Sequence, residues 1–299
     1  MKKMKKPLFE GSSVAIVTPF KDGRVNFDKL AELIDFHIEN GTASIVVCGT
    51  TGESATQSLE EHVETVDFCV KHTGGRIPVI AGTGSNDTEA ALFLSREAEE
   101  SGADGLLVVT PYYNKTTQKG LIKHYTYLAD RVNIPIILYN VPPRTGLSFT
   151  AETYFELSKH PNINGVKEAS GDANLISRTM ALCGDELYFW SGDDSFGVPC
   201  MALGGKGIIS VAANFLPRVL ADICDYCLKG DFENGRKLHM KYIELFNAMT
   251  YEVNPIPVKT AMNLLGMDVG ELRMPLVDME PANLQRLKKA MLAADLTLK

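Results

Sequence analysis

Short apolar runs, each followed by a stretch of helical periodicity, recur along the first two-thirds of the chain, and this recurrence limits the fold more than any other feature. Alternating strands and helices are typical of a parallel sheet with both faces covered. Eight such units favour a closed (β/α)8 TIM barrel, an α/β fold that leaves no sheet edge and typically needs about 250 residues. A doubly wound open sheet is the alternative. The predicted strands are Val14–Thr18, Ser44–Cys48, Val79–Gly82, Gly105–Thr110, Ile134–Asn140, Gly165–Glu168, Leu187–Ser191 and Gly207–Val211.

After the last of these strands, the remaining pattern is helical. The sequence contains no low-complexity tract or Pro/Ser linker that would separate this part from the barrel, so we expect it to pack against the barrel. We therefore predict a barrel domain at residues 1–230 and a C-terminal helical domain at residues 231–299. The predicted helices are Leu216–Lys229, Phe232–Met249, Pro257–Leu265 and Pro281–Leu292.

Charge and hydropathy exclude several classes of protein. The 299 residues carry a formal net charge of -7, which argues against nucleic-acid binding because phosphate contacts need clustered Lys and Arg. No window approaches the roughly 20 apolar residues that span a bilayer. The basic start, Met1–Lys6, precedes no apolar stretch of signal-peptide length, so we expect a loose tail. We predict a cytoplasmic protein that acts on small molecules.

Cysteine and histidine spacing gives little support for metal or redox chemistry. Cys224 and Cys227 form a single CxxC pair, but it lies on a predicted helix and has no second pair. A structural helix face is therefore favoured over a redox or zinc site. The six histidines lie mostly on predicted helices and never at metal-ligand spacing, so we predict no bound metal.

Polar motifs follow four of the predicted strands. In TIM-barrel enzymes the active site is built where the strands end, at their carboxyl termini. We therefore expect these four segments to meet at one mouth of the barrel. They are Gly49–Glu53 (GTTGE), Thr110–Asn114 (TPYYN), Tyr139–Gly146 (YNVPPRTG) and Gly165–Gly171 (GVKEASG).

Lys167 carries most of the functional prediction. It lies between apolar residues in a short strand, where burial of a lysine costs free energy and therefore indicates a functional role. Burial lowers the pKa of a lysine, and the neutral amine is the form that attacks a carbonyl carbon to give a Schiff base. An ion pair with Glu168 is the alternative, but adjacent residues of a strand point to opposite faces.

The neighbouring motifs supply groups that a Schiff-base enzyme needs. The Tyr139 phenol is suited to proton transfer, and Thr50 could link it to Tyr113 through hydroxyl hydrogen bonds. The Gly49–Gly52 turn offers successive N–H groups to a small carboxylate, and Arg144 could bind a second carboxylate. Taken singly, each of these residues also fits an ordinary packing, capping, turn or surface role.

In combination, the motifs GTTGE, PYYNKTTQKG, YNVPPRTG, GVKEASG and WSGDD resemble the dihydrodipicolinate synthase family. The resemblance runs from about Gly11 to the segment Asn254–Thr260. It implies condensation of pyruvate with aspartate 4-semialdehyde to 4-hydroxytetrahydrodipicolinate, in diaminopimelate and lysine biosynthesis. It also implies a homotetramer built from two dimers, and a lyase that uses no metal or organic cofactor.

The same resemblance assigns residue roles. Tyr113 would be lent by the neighbouring subunit of a dimer. The implied roles are a Schiff base on Lys167, a proton relay through Tyr139, Thr50 and Tyr113, pyruvate binding by Thr51, binding of the semialdehyde carboxylate by Arg144, and a carbonyl beside the substrate from Ile209.

One region departs from the pattern of the lysine-inhibited bacterial members. Leu59 stands where a histidine is often seen, and Ala90 stands where a glutamate contacts the inhibitor's amine, although Glu89 is adjacent. We therefore expect weak or absent feedback inhibition, because an ammonium without its carboxylate loses ~1.5–3 kcal/mol. The residues that do match the inhibitor site are Ser54, Ala55, His62, Asn86 and Tyr112.

Two other functions remain open at this stage. N-acetylneuraminate lyase and ketodeoxy-sugar-acid aldolases share the lysine, the tyrosine and the glycine-rich turn, but the Arg144–Gly146 continuation favours the synthases. A non-catalytic barrel that binds a keto acid and regulates a partner is the third hypothesis. The presence of Lys167, Tyr139 and Arg144 together argues against it.

Overall fold

The computed structural model describes residues 5–299, and these residues form a closed barrel of parallel strands. Each strand pairs with the next, and the last pairs with the first through Gly11 and Gly207. The predicted TIM barrel is confirmed, and the open sheet is excluded. The barrel strands are Gly11–Ala15, Ser44–Val47, Val79–Gly82, Gly105–Val109, Ile136–Asn140, Ile163–Glu168, Tyr188–Ser191 and Gly207–Ser210.

The first strand is the main error in the predicted bounds. It begins at Gly11 and ends at Ala15, whereas the apolar run predicted Val14–Thr18. Its two serines are buried, and the Ser13 hydroxyl donates to the Ser44 carbonyl at 3.0 Å. A rule based on apolar runs misses this strand start because Ser12 and Ser13 are polar residues, although both are buried in the barrel wall. The other strand bounds differ from prediction by two residues or fewer.

Successive residues of each strand point alternately into the barrel and out toward the helices. Val46 and Ile137 belong to the interior cluster, whereas their neighbours Ile45 and Leu138 belong to the cluster beneath the helices. This alternation follows from the period of two along a strand. It places Tyr139 inside the barrel, level with the apolar core.

The segment that begins at Lys5 closes the amino-terminal end of the barrel. The Lys5 ammonium donates to the carbonyls of Ser158 at 2.5 Å, Ile163 at 2.8 Å and Glu186 at 3.0 Å. The Phe9 ring stacks on Trp190 inside the barrel, with 4.8 Å between ring centroids. The expectation of a loose tail is therefore wrong from Lys5 onward, and residues 1–4 lie outside the described residues.

Helices cover the barrel, and the four predicted C-terminal helices are confirmed with bounds shifted by one residue at most. Leu245 and Leu287 join the same hydrophobic cluster as the outward-facing strand residues, so the C-terminal helices pack on the barrel. The domain boundary at residue 230 stays a prediction. The helices are Phe27–Glu39, Leu59–Thr73, Thr88–Glu100, Gln118–Ala129, Pro142–Thr145, Ala151–Ser158, Ala173–Cys183, Gly197–Ala202, Pro217–Leu228, Phe232–Ala248, Ile256–Leu264 and Pro281–Ala293.

The CxxC pair lies on a helix, as predicted, and both of its thiols are free and buried. Burial raises the pKa of Cys227 to about 11 and that of Cys224 well above its usual range. Thiolate is the reactive form of cysteine, so neither thiol is activated near neutral pH. Within the described residues, every helix is too short or too polar to span a bilayer.

Candidate active site

Lys167 and Tyr139 lie side by side at the carboxyl ends of adjacent barrel strands. They are register partners in the sheet, and Lys167 also pairs with Trp190 on its other side. The Lys167 ammonium lies 4.5 Å from the centroid of the Tyr139 ring. Two of the four predicted motifs therefore supply adjoining groups at one mouth of the barrel.

Burial shifts the Lys167 amine toward the uncharged form that nucleophilic attack requires. Its side chain is 5% exposed, and burial lowers its pKa to about 8. The Asp194 carboxylate opposes this shift, whereas the Arg144 guanidinium adds to it. A free lysine has a pKa near 10.4, so at pH 8 roughly half of Lys167 is neutral instead of under one percent.

Glu168 belongs to a separate network on the outer face of the same strand. Its carboxylate accepts hydrogen bonds from the Asn140 amide, the Tyr154 hydroxyl and the Ser170 N–H, each at 2.9 Å. Among residues 5–299, Lys167 forms no ion pair within 4.0 Å. The ion-pair alternative for Lys167 and Glu168 is therefore wrong, because the pleat directs the two side chains apart.

The WSGDD segment supplies two residues that sequence reasoning did not single out. A β-carbon on Gly192 would lie 3.0 Å from the Lys167 Cε atom, so only glycine leaves room for the lysine stem. The buried Asp194 carboxylate accepts from the N–H groups of Val211 at 3.1 Å and Ala212 at 2.9 Å. Asp194 therefore places a fixed acidic group near Lys167, and the motif itself was the signal that could have revealed it.

The Gly49–Glu53 turn forms a short 3-10 helix at the mouth. The N–H of Gly52 donates to the Gly49 carbonyl at 3.0 Å, and that of Glu53 donates to the Thr50 carbonyl at 3.1 Å. Within the described part of the chain, the N–H groups of Thr50 and Thr51 find no protein acceptor. Two adjacent donors at a turn form the kind of nest that accepts a small carboxylate.

Thr50 lies close to Tyr139, whereas Tyr113 stands apart from both, and the predicted hydroxyl relay stays a prediction. Burial raises the pKa of Tyr139, while the Arg144 charge and a hydrogen bond with Thr50 lower it. Tyr113 is 91% exposed, so the chain does not bring it to Tyr139. Its role in a relay stays a prediction that requires a second subunit.

Arg144 and Thr51 are connected through one residue of the C-terminal region. The Arg144 guanidinium donates to the Asn254 carbonyl at 3.1 Å, and the Asn254 amide donates to the Thr51 hydroxyl at 2.9 Å. Asn254 was missed as a site residue because its partners are distant in sequence. Ile209 lies buried in the barrel interior on the last strand, and its carbonyl role stays a prediction.

A cavity of about 380 Å³ connects the mouth to the predicted inhibitor region. Burial lowers the pKa of His62, which lines this cavity, to about 4, so its imidazole is neutral. Asn86 is not among the lining residues, and the Glu89 carboxylate accepts from the Tyr127 hydroxyl at 2.8 Å. The lining includes Thr50, Tyr139 and Arg144 from the mouth and Ser54, Ala55, Leu59, His62, Ala90 and Tyr112 from the inhibitor region.

No group of three or more His, Cys, Asp or Glu side chains within residues 5–299 is placed to hold a metal ion. The charged groups at the mouth include Lys167, Asp194 and Arg144. The arrangement is suited to covalent capture of a carbonyl compound that bears a carboxylate.

Comparisons with known proteins agree with this geometry. The model of the dihydrodipicolinate synthetase family matches residues 8–294. The chain is 53% identical to a 4-hydroxy-tetrahydrodipicolinate synthase of Clostridium novyi, over 95% of this chain and 96% of the relative.

Two solved structures show the same likeness. The dihydrodipicolinate synthase from Aquifex aeolicus superposes with a TM-score of 0.95 at 47% identity, over 97% of this chain and all of that one. The chloride-inhibited synthase from Acinetobacter baumannii, complexed with pyruvate, superposes with a TM-score of 0.93 at 41% identity, over 96% and 99%. The chain therefore belongs to the dihydrodipicolinate synthetase family.

Proposed function

We propose that this chain is a lyase that condenses pyruvate with L-aspartate 4-semialdehyde to 4-hydroxytetrahydrodipicolinate, in diaminopimelate and lysine biosynthesis. The observation that carries the proposal is the buried Lys167 amine, with a pKa near 8, beside the Tyr139 phenol. The names of the relatives, and the pyruvate in the Acinetobacter baumannii complex, support the same reaction.

The first half of the reaction forms the covalent intermediate. The neutral Lys167 nitrogen attacks the keto carbon of pyruvate, whose carboxylate lies against the N–H groups of Thr50 and Thr51. Tyr139 donates a proton to the departing hydroxyl, which leaves as water and gives an iminium ion. The Tyr139 phenolate left by this step takes a methyl proton, which yields the enamine with the iminium nitrogen as the electron sink.

The second half forms the carbon–carbon bond. The enamine carbon attacks the aldehyde carbon of the semialdehyde, whose carboxylate binds Arg144. The aldehyde oxygen takes a proton from the Tyr139 hydroxyl and becomes a hydroxyl group. The substrate's amino group then displaces Lys167 from the imine carbon, which closes the ring and frees the enzyme. Thr50 holds the Tyr139 hydroxyl during these transfers.

This chemistry needs no metal or organic cofactor, because the iminium ion withdraws electrons in place of one. We place the enzyme in the cytoplasm. We also propose a homotetramer made of two dimers, in which the exposed Tyr113 completes the proton relay of the neighbouring subunit. Sedimentation that shows a fully active monomer would refute the shared site.

Borohydride reduction tests the covalent step directly. Pyruvate plus borohydride should add one 1-carboxyethyl group to the intact protein, and peptide mass measurement should locate it on Lys167. The Lys167→Ala variant should gain nothing and should lose turnover. Absence of an adduct in the parent protein would favour a non-catalytic keto-acid-binding barrel.

The acceptor aldehyde distinguishes the synthase from a sugar-acid aldolase. Arg144 is held at the mouth by the Asn254 carbonyl, where it can bind the carboxylate of the semialdehyde. Assay of the untreated enzyme with pyruvate and, in separate reactions, aspartate semialdehyde, N-acetylmannosamine or glyceraldehyde should show turnover with the semialdehyde alone. Preference for a sugar aldehyde would overturn the choice of acceptor but not the Schiff base.

A further inference from the structure

A buried ion pair links the Gly49–Glu53 turn to the C-terminal helices. The Glu53 carboxylate lies 2.8 Å from the Lys259 ammonium, and each side chain is 1% exposed. Lys259 also donates to the Glu271 carbonyl at 2.6 Å, and Glu53 also accepts from the Arg273 N–H at 2.9 Å. Both charges are therefore satisfied by groups outside the turn itself.

Stability alone is a weak explanation for such a pair. Removing two charges from water costs several kcal/mol each, and apolar replacements of similar volume are often neutral or stabilising. A geometric role is better supported here, because Glu53 has a φ of +54°. This left-handed conformation costs a non-glycine residue ~1–2 kcal/mol. The contacts made by the Glu53 side chain hold the backbone in this conformation.

Glu53 lies two residues after Thr51, and only Gly52 separates it from the two threonines of the site. Its N–H donates to the Thr50 carbonyl, so the Glu53 backbone also fixes the end of the 3-10 turn. A change in the Glu53 backbone would therefore move the Thr50 hydroxyl away from Tyr139 and redirect the free N–H groups of Thr50 and Thr51.

A second tie joins the same C-terminal segment to the mouth. Asn254 precedes helix Ile256–Leu264, which carries Lys259, and its amide and carbonyl hold Thr51 and Arg144. The turn is thus attached to one helix start at two points, Glu53 and Thr51. The arrangement links binding groups for both substrates to a region outside the barrel.

We propose that Glu53 and Lys259 are positioning residues, and that their buried ion pair keeps the Gly49–Glu53 turn in the geometry that binds pyruvate. The C-terminal helices then help to position the groups that bind pyruvate. This proposal rests on the proposed function, since it assumes that pyruvate is captured at Lys167.

The test is a pair of nearly isosteric variants. Glu53→Gln should raise the KM for pyruvate by about 3- to 10-fold. Glu53→Gln/Lys259→Met removes both charges but keeps the volume, and should raise that KM by more than 10-fold while the melting temperature stays within a few degrees. The rate of borohydride trapping at limiting pyruvate should fall in parallel, whereas kcat should change less.

A matched control uses an exposed ion pair of the C-terminal helices. Glu233→Gln/Lys237→Met removes a surface pair with 2.6 Å between its charged atoms, and should leave the KM for pyruvate unchanged. A KM within twofold of the parent in both Glu53 variants would overturn the positioning role. If the double variant does not fold, Glu53→Gln alone decides the question. Failure of the parent enzyme to form any pyruvate adduct would instead count against the proposed function.

Discussion

Lys167 and Lys259 are both buried lysines, yet their surroundings make the first a candidate nucleophile and the second a partner in an ion pair. Burial lowers the pKa of each. Lys259 has a carboxylate 2.8 Å away that favours its charged form, whereas the nearest opposing charge on Lys167 is Asp194, which makes no hydrogen bond to it. Burial by itself therefore does not make a nucleophile, and the absence of a contacting carboxylate separates the reactive lysine from the structural one.

Exchanging each lysine for methionine should separate the two roles most clearly. Lys167→Met should lower kcat/KM by at least about 10³-fold without loss of stability, because it removes both the nucleophile and a buried charge that lacks an ion-pair partner. Lys259→Met should lower the free energy of unfolding by about 3–5 kcal/mol, because it leaves Glu53 charged and unpaired. Steady-state kinetics and urea unfolding measure the two effects. An equal loss of unfolding free energy in Lys167→Met and Lys259→Met would contradict the distinction between a reactive and a structural lysine.

The space around the reactive lysine provides the next test. In Gly192→Ala, the new methyl group would lie about 3 Å from the Lys167 stem and 2.9 Å from the Ala169 Cβ atom. A displacement near 1 Å can cost about 10²-fold, so we expect kcat/KM for pyruvate to fall by roughly 10- to 100-fold. Trapping kinetics measure this fall, with thermal unfolding as the control for stability. Unchanged trapping would show that the lysine tolerates another position.

Feedback inhibition by free lysine would require its ammonium to bind in the cavity beside the mouth. Ala90 lines this cavity at the position where we expect a carboxylate partner to be needed. The loss of that partner costs ~1.5–3 kcal/mol, equivalent to roughly 10- to 150-fold weaker binding. Initial rates with increasing lysine should therefore show little inhibition, and Ala90→Glu should strengthen it. Strong inhibition of the parent enzyme would mean that another group receives the ammonium.

The smallest predicted effect concerns pH. The folded pKa of Lys167 is lowered to about 8, so the neutral amine is lost as the pH falls below that value. The rate of pyruvate trapping should rise with pH up to about 8 and then level off. Asp194→Asn removes the carboxylate that raises this pKa, so its acid limb should move to lower pH, by about one pH unit or less. The same change at the exposed Asp185 should not move it. A limb near pH 10 would contradict the effect of burial.

The sequence predicted the barrel because eight repeats of one local pattern admit few closed arrangements. Lys167 and Tyr139 were predictable for the same reason, since strand order places consecutive strand ends side by side. The start of the first strand was missed because a rule based on apolar runs assigns serines to a loop, although Ser12 and Ser13 are buried.

The remaining site residues depend on contacts between distant segments. The Glu53–Lys259 pair and the Asn254–Thr51 hydrogen bond each join residues more than 200 positions apart. No local periodicity indicates such pairs. Tyr113 shows a further limit, because a group that serves a neighbouring subunit cannot be placed from one chain.

Lys5 and Phe9 cover the amino-terminal end of the barrel, opposite the mouth where Lys167 and Tyr139 lie. We therefore expect substrate, product and the water released by imine formation to pass through this mouth, near Arg144 and the Gly49–Glu53 turn. The adjoining cavity shares Thr50, Tyr139 and Arg144 with the mouth, so a ligand bound in the cavity would also hinder the entry of substrate. Removal of residues 1–9 would uncover Trp190 at the amino-terminal end of the barrel. We expect this change to let solvent reach the Lys167 pocket from that end.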